Sequence, residues 1–141
     1  WLTIKKHEGM FVESTMLIKN QLLREYPFDE KLGVGTFHGA EEGYDLVLRL
    51  LRDSYTLFYN PKIKVYHPQK VMNYSDIDVK RAFTYRCGFA KLCNKHSLYK
   101  MYYKRLVLVF LYLPYCVIFK RTKVKFYISE FLGLIVGRVI N

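Results

Sequence analysis

The chain has 141 residues, 51% hydrophobic, 17% aromatic and 25% charged, which fits one globular domain or a piece of a larger one and excludes a disordered tail. With 23 Lys and Arg against 12 Asp and Glu the formal net charge is +11, so the expected partner is anionic: phosphate, nucleic acid or lipid headgroups. The charge is uneven, with seven basic and nine acidic residues in 1–61 and sixteen and three in 62–141, a swing that marks a change of job along the chain.

In chain order, residues 10–18 mix β-branched and apolar side chains and predict a short strand leading into a turn or helix. Tyr26-Pro27 breaks the pattern, and Phe28, Asp29 and Glu30 follow as an aromatic anchor with two acids. Three glycines in residues 33–39 predict a loop whose backbone passes close to something. From Glu42 to Asp53 the period becomes helical, with Tyr44, Val47, Leu48 and Leu51 on one stripe. Glu41 and Glu42 stand at its start, where the helix dipole favours anions, and Asp45 and Arg49 are spaced to pair on the helix surface. Residues 56–59 predict a strand, Asn60-Pro61 a turn, and residues 62–67 a second strand with Ile63, Val65 and His67 on one face. Ser75 or Asp76 then caps a helix in which Val79, Ala82, Phe83, Cys87 and Ala90 share a face.

Two apolar stretches end the chain, Leu106 to Phe119 and Phe126 to Ile140, bracketed by Lys104-Arg105 and by Lys120, Arg121, Lys123 and Lys125. Each is shorter than the ~20 residues a membrane-crossing helix needs. Both fit helices lying in a membrane interface, Lys and Arg at phosphate level and Tyr, Phe and Leu below. Three cysteines without CxxC spacing point to a reducing compartment rather than to zinc or disulfides. Nothing near the start reads as a secretory signal, and an opening at Trp1 instead of Met suggests a fragment.

The segment Phe28-Asp29-Glu30-Lys31-Leu32-Gly33, the glycine loop, Glu41-Glu42-Gly43-Tyr44-Asp45-Leu46 with Arg49, and Val65-Tyr66-His67 resembles, in order and spacing, the acceptor half of inverting family-two glycosyltransferases of the GT-A fold. The resemblance is strongest over residues 10–68; Arg86-Cys87-Gly88-Phe89 and the tail match polysaccharide-building members more loosely. It implies an α/β fold: the C-terminal half of a Rossmann-like GT-A domain with a mixed sheet over 1–75, then basic, membrane-associated helices over 76–141. It also implies a nucleotide-sugar donor, a glycan or lipid-linked acceptor, and a divalent metal (Mg2+ or Mn2+) held mainly by a donor half that would precede Trp1. In this likeness Glu42, Glu41 and Asp45 are the catalytic candidates. Asp29, Glu30, His67 and Arg86 are candidates for acceptor or diphosphate binding, and His67 also for the metal.

The chemistry wants those residue types, because inverting transfer needs a carboxylate to take the proton from the attacking hydroxyl. Two departures bear on the assignment. Gly43 occupies the family's usual base position, which leaves Glu42, Glu41 or neither as base, with Glu42 favoured. Asp76-Ile77-Asp78 spells D-x-D but sits at a helix start and reads as a cap. Each candidate also has a plainer reading: Glu41 and Glu42 as helix-start acids, Asp45–Arg49 as an ordinary pair, Asp29 and Glu30 as turn caps, His67 as a core histidine, and Arg86 as a solvated face. The expectation is therefore a membrane-associated transferase at the cytoplasmic face of the cell membrane. The alternative is a non-catalytic basic membrane-binding module. Nucleic acid is disfavoured as a partner, because the basic residues bracket long apolar runs instead of interleaving with polar surface.

Overall fold

The structure, a computed structural model, describes residues 16–58, 60–66 and 72–140. Five helices carry it: α1 (Asn20–Glu25), α2 (Glu42–Arg52), α3 (Asp76–Lys95), α4 (Tyr99–Phe119) and α5 (Val124–Val139), with a 3-10 turn over Arg121–Lys123 between the last two. The chain forms two compact units, Trp1–Glu30 with Glu42–Lys70 and Lys31–Glu41 with Val71–Asn141.

The expected α/β fold with a mixed sheet is overturned. The regular elements among the described residues are all helices, and the pairing these residues make with one another is a single bridge between Leu32 and His38. A strand is stable only when its N–H and C=O groups meet a neighbour and one face is covered. Residues 56–58 and 63–66 form no regular element, and Phe58, Ile63, Val65 and Tyr66 stand exposed. The strand expected over 10–18 lies mostly outside the described residues.

In the first unit, α2 is buried around most of its circumference. Gly43, Asp45, Leu46, Val47, Leu48 and Leu50 are all covered, a wider face than the single stripe that the period predicts. Arg49, which lies outside that face, donates to the Pro27 carbonyl at 2.6 Å. Tyr26 packs edge-on to Tyr55 and donates its hydroxyl to Asp53 at 2.6 Å. These contacts tie the chain before α2 to the chain after it.

In the second unit, α3 begins with a capping box. Ser75 accepts from the Asp78 N–H at 3.3 Å, and the Asp78 carboxylate accepts from the Ser75 N–H at 3.2 Å, so Asp76-Ile77-Asp78 is the cap it was expected to be. Ala82, Cys87 and Ala90 of the expected stripe are buried. The glycine loop lies against this helix: Gly39 N–H donates to the Thr84 carbonyl at 3.0 Å, and a Cβ on Gly39 would come within 2.7 Å of Thr84 Oγ1.

Helix α5 packs along α3 through small residues. Added Cβ atoms at Gly133 and Gly137 would stand 2.4 Å from Phe83 O and from Cys87 Cα, and Ser129 donates to the Val79 carbonyl at 2.8 Å. Helix α4 runs antiparallel to α5. Tyr102 donates to the Leu134 carbonyl at 3.2 Å, Phe110 meets Phe131, and Tyr112 meets Tyr127. Tyr102, Val109 and Cys116, seven residues apart in turn, form the buried seam of α4, and Ala90, Cys93 and Leu134 complete the core there.

Candidate functional site

Glu42 is the first residue of α2. Ahead of it the chain turns through Gly33 (φ 111) and Gly35 (φ 98) and reaches Glu41 at φ 82. A left-handed backbone costs a non-glycine residue roughly 1–2 kcal/mol, so Glu41 enters the helix under strain. The helix start points unpaired N–H groups and the positive end of its dipole toward an anion. Glu42 Oε2 is buried and has no hydrogen-bond partner among the described residues. Leaving such an oxygen without a donor costs ~1–3 kcal/mol, and an orphaned buried polar atom of this kind asks for an explanation.

One turn on, Asp45 behaves differently. Its side chain is fully buried and accepts from Arg49 Nε at 2.9 Å. The i, i+4 pair expected at the surface is therefore half interior. Through Arg49 it reaches the Pro27 carbonyl, so its carboxylate is committed to holding the residues before α2. Asp29 is half-buried and Glu30 exposed in the turn that follows Pro27.

Arg86 lies on α3 in the second unit and is turned inward. Its Nε donates to Glu130 Oε1 at 2.7 Å, and Arg105 of α4 donates to both oxygens of the same carboxylate at 2.9 and 3.1 Å. Glu130 is 2% exposed, so one buried acid on α5 ties α3 and α4 together. This triad was not singled out from the sequence, although a signal was present: Glu130 is the sole acid after Asp78. A lone carboxylate in an apolar helix needs a cation. On the same helix Arg138 lies over the rings of Tyr99, Tyr102 and Tyr103 at 5.1, 4.9 and 6.0 Å.

His67 lies outside the described residues. Among the described residues no group of three His, Cys, Asp or Glu side chains is placed to hold a metal ion. The donor set for a divalent cation is thus not found in them.

Burial pushes the Cys87 thiol up to about 11, against a weaker opposing pull from a backbone hydrogen bond with Gly137. The Tyr26 hydroxyl is pushed up to about 12, first by its hydrogen bond to Asp53. Neither group titrates near neutral pH. Compared with protein-family models, with curated proteins and with solved structures, the chain matches none of them.

Proposed function

We propose that this chain is part of a glycosyltransferase that moves a sugar from a nucleotide-sugar to a hydroxyl of a glycan or lipid-linked glycan with inversion, and that Glu42 is its general base. The reading joins the ordered motifs of residues 28–50 to one structural observation, the unpartnered buried carboxylate oxygen at the start of α2. A base must be fixed in direction yet free to accept a proton. Glu42 is held by the first turn of a buried helix, and one of its oxygens is not consumed by the protein's own donors. Asp45 is consumed in that way, by Arg49. In this reading Asp45 positions the first turn, Glu41 shapes the entry to it, and Glu42 takes the proton of the acceptor hydroxyl as the hydroxyl oxygen attacks the anomeric carbon and the nucleoside diphosphate leaves. No sheet enters into it, and departure of the nucleoside diphosphate belongs to the donor side.

The reaction takes place at the cytoplasmic face of the cell membrane. Helix α4 (Tyr99–Phe119) is long and apolar enough to cross a bilayer, and its apolar side chains are largely exposed. That exposure also favours a second reading, in which the chain binds membrane and transfers nothing. The assay is sugar transfer by the chain joined to a donor-binding half. Glu42→Gln lowers turnover by ~100-fold or more with an unchanged circular dichroism spectrum. Full turnover in that variant removes Glu42 from the role. Absence of transfer by the unmutated fusion, with vesicle binding retained, favours the second reading.

A further inference from the structure

Helix α4 passes the length and composition test for a membrane span, but its surroundings argue for a different placement. Its uninterrupted apolar run, Leu106 to Phe119, has 14 residues and is ~21 Å long at 1.5 Å per residue, short of the ~30 Å hydrocarbon core. Both of its ends are basic: Lys100, Lys104 and Arg105 at the start, Lys120, Arg121, Lys123 and Lys125 beyond the end. Lys and Arg favour the cytoplasmic side, and here they pull both ends to one side.

The neighbouring helices make the same demand. Helix α4 lies antiparallel to α5, so a crossing by α4 takes α5 back through the bilayer. Helix α5 is fixed to α3 by backbone-close packing at Gly133 and Gly137 and by Glu130 on Arg86. Helix α3 exposes Asp76, Lys80, Arg81 and Lys95, a surface that cannot enter hydrocarbon.

What remains uncovered is apolar. On α4, Val107, Phe110, Leu111, Val117, Ile118 and Phe119 are each more than half exposed, spread over roughly half the circumference at 100° per residue and opposite the seam of Tyr102, Val109 and Cys116. On α5, Ile128, Leu132, Ile135 and Val139 are exposed at i, i+4, i+7 and i+11, a single line opposite its buried glycines. The electrostatics select the occupant. Beyond Asp78 the one acid is the internal Glu130, so every solvent-facing charged side chain from residue 79 to 140 is positive. An apolar face rimmed only by cations is complementary to an anionic bilayer surface.

We infer that α4 and α5 lie in the plane of an anionic leaflet, their apolar faces sunk to the acyl boundary, and that α4 does not cross. The inference deepens the membrane part of the proposed function and rests on that part alone, not on sugar transfer. The geometry keeps both ends of α4 on the aqueous side where α3 stands.

The test uses the full chain added to sealed vesicles of phosphatidylcholine with and without phosphatidylserine. Lys100→Cys and Lys125→Cys place thiols at exposed positions at either end of the apolar run, and the native cysteines are buried. Both new thiols are expected to react fully with a membrane-impermeant maleimide while the vesicles are intact. Binding is expected to fall at least ~10-fold without phosphatidylserine, and likewise in the double variant Leu111→Glu, Ile118→Glu. Protection of Cys at 125 until detergent is added means that α4 crosses, and overturns the inference while leaving membrane association standing. Failure to bind anionic vesicles overturns both. So does a stable dimer in which the glutamate pair breaks self-association instead of lipid binding.

Discussion

Ser54 and Ser97 each occupy the position after a helix end where the backbone turns left-handed, at φ 63 and φ 57. The hydrogen bonds around them are those of a Schellman ending: Tyr55 N–H to Leu50 O and Ser54 N–H to Leu51 O after α2, then Leu98 N–H to Cys93 O and Ser97 N–H to Asn94 O after α3. Glycine is the usual occupant because only it enters that region without a Cβ penalty of roughly 1–2 kcal/mol. Glycine also loses more freedom on folding, which takes back part of the gain. Ser54→Gly and Ser97→Gly are each expected to stabilise the fold by ~0.5–1 kcal/mol, read as a higher urea midpoint at unchanged slope. A fall in midpoint would show that the serine side chains hold something the backbone geometry does not reveal. Glu41 is strained in the same way at φ 82, but it stands beside the proposed base. Strain tolerated at a helix end is an accident of sequence, whereas strain at a carboxylate pair is a reason to look for function.

At the scale of elements, the contact that organises the second unit is α3 against α5, and it depends on Gly133 and Gly137 having no side chains. In Gly137→Ala the new methyl stands 2.4 Å from Cys87 Cα, a backbone atom that no rotamer change can move. The helices must separate, breaking the Glu130 bridges and the Ser129 bond to Val79. A loss of at least ~1–3 kcal/mol is expected, measured by urea denaturation; a neutral alanine would mean that α5 is not seated on α3 as described. This packing also shows what the sequence could reveal. The start of α3 was legible because Ser75 and Asp78 form a local signal, and its stripe because Ala82, Cys87 and Ala90 obey the helical period. The buried face of α5 was not, because the basic clusters flanking its apolar run pointed to a membrane interface, whereas Gly133 and Gly137 are points of close helix approach. The sheet was misread for the opposite reason. Ile63 and Val65 alternate as a strand does, but alternation states only a preference, and no neighbour among the described residues covers them. Glu42 was legible as a residue; its orphaned oxygen could be seen only once α2 was built around it.

At the scale of the whole molecule, five groups among the described residues have their titration displaced upward. Cys87 is raised to about 11 and Tyr102 and Tyr127 are raised, each by burial first; Tyr26 is raised to about 12 by its bond to Asp53, and Lys123 by its bond to Tyr74. A group whose folded pKa lies above its unfolded value contributes stability that is fully present below the unfolded value and is lost as pH rises through the folded one. The window for Cys87 therefore opens near its ordinary 9.0 and closes near 11, and that for Tyr26 runs from 10.0 to about 12. For the thiol the loss is on the order of 2 kcal/mol. These groups add nothing to the pH dependence between 6 and 8.5, and the urea midpoint is expected to fall steeply between 9 and 12. Cys87→Ala should flatten the first part of that fall while leaving the later, tyrosine-dominated part. The three thiols give an independent check. Cys87, Cys93 and Cys116 are buried and form no disulfide, and a thiol reacts as the exposed thiolate. At pH 8 all three should resist a disulfide-exchange reagent in the folded chain and react together in denaturant, with one rate set by global opening. Rapid modification of a single cysteine in the native protein would place that thiol outside the core, and a midpoint level to pH 11 would show that burial does not hold Cys87 protonated.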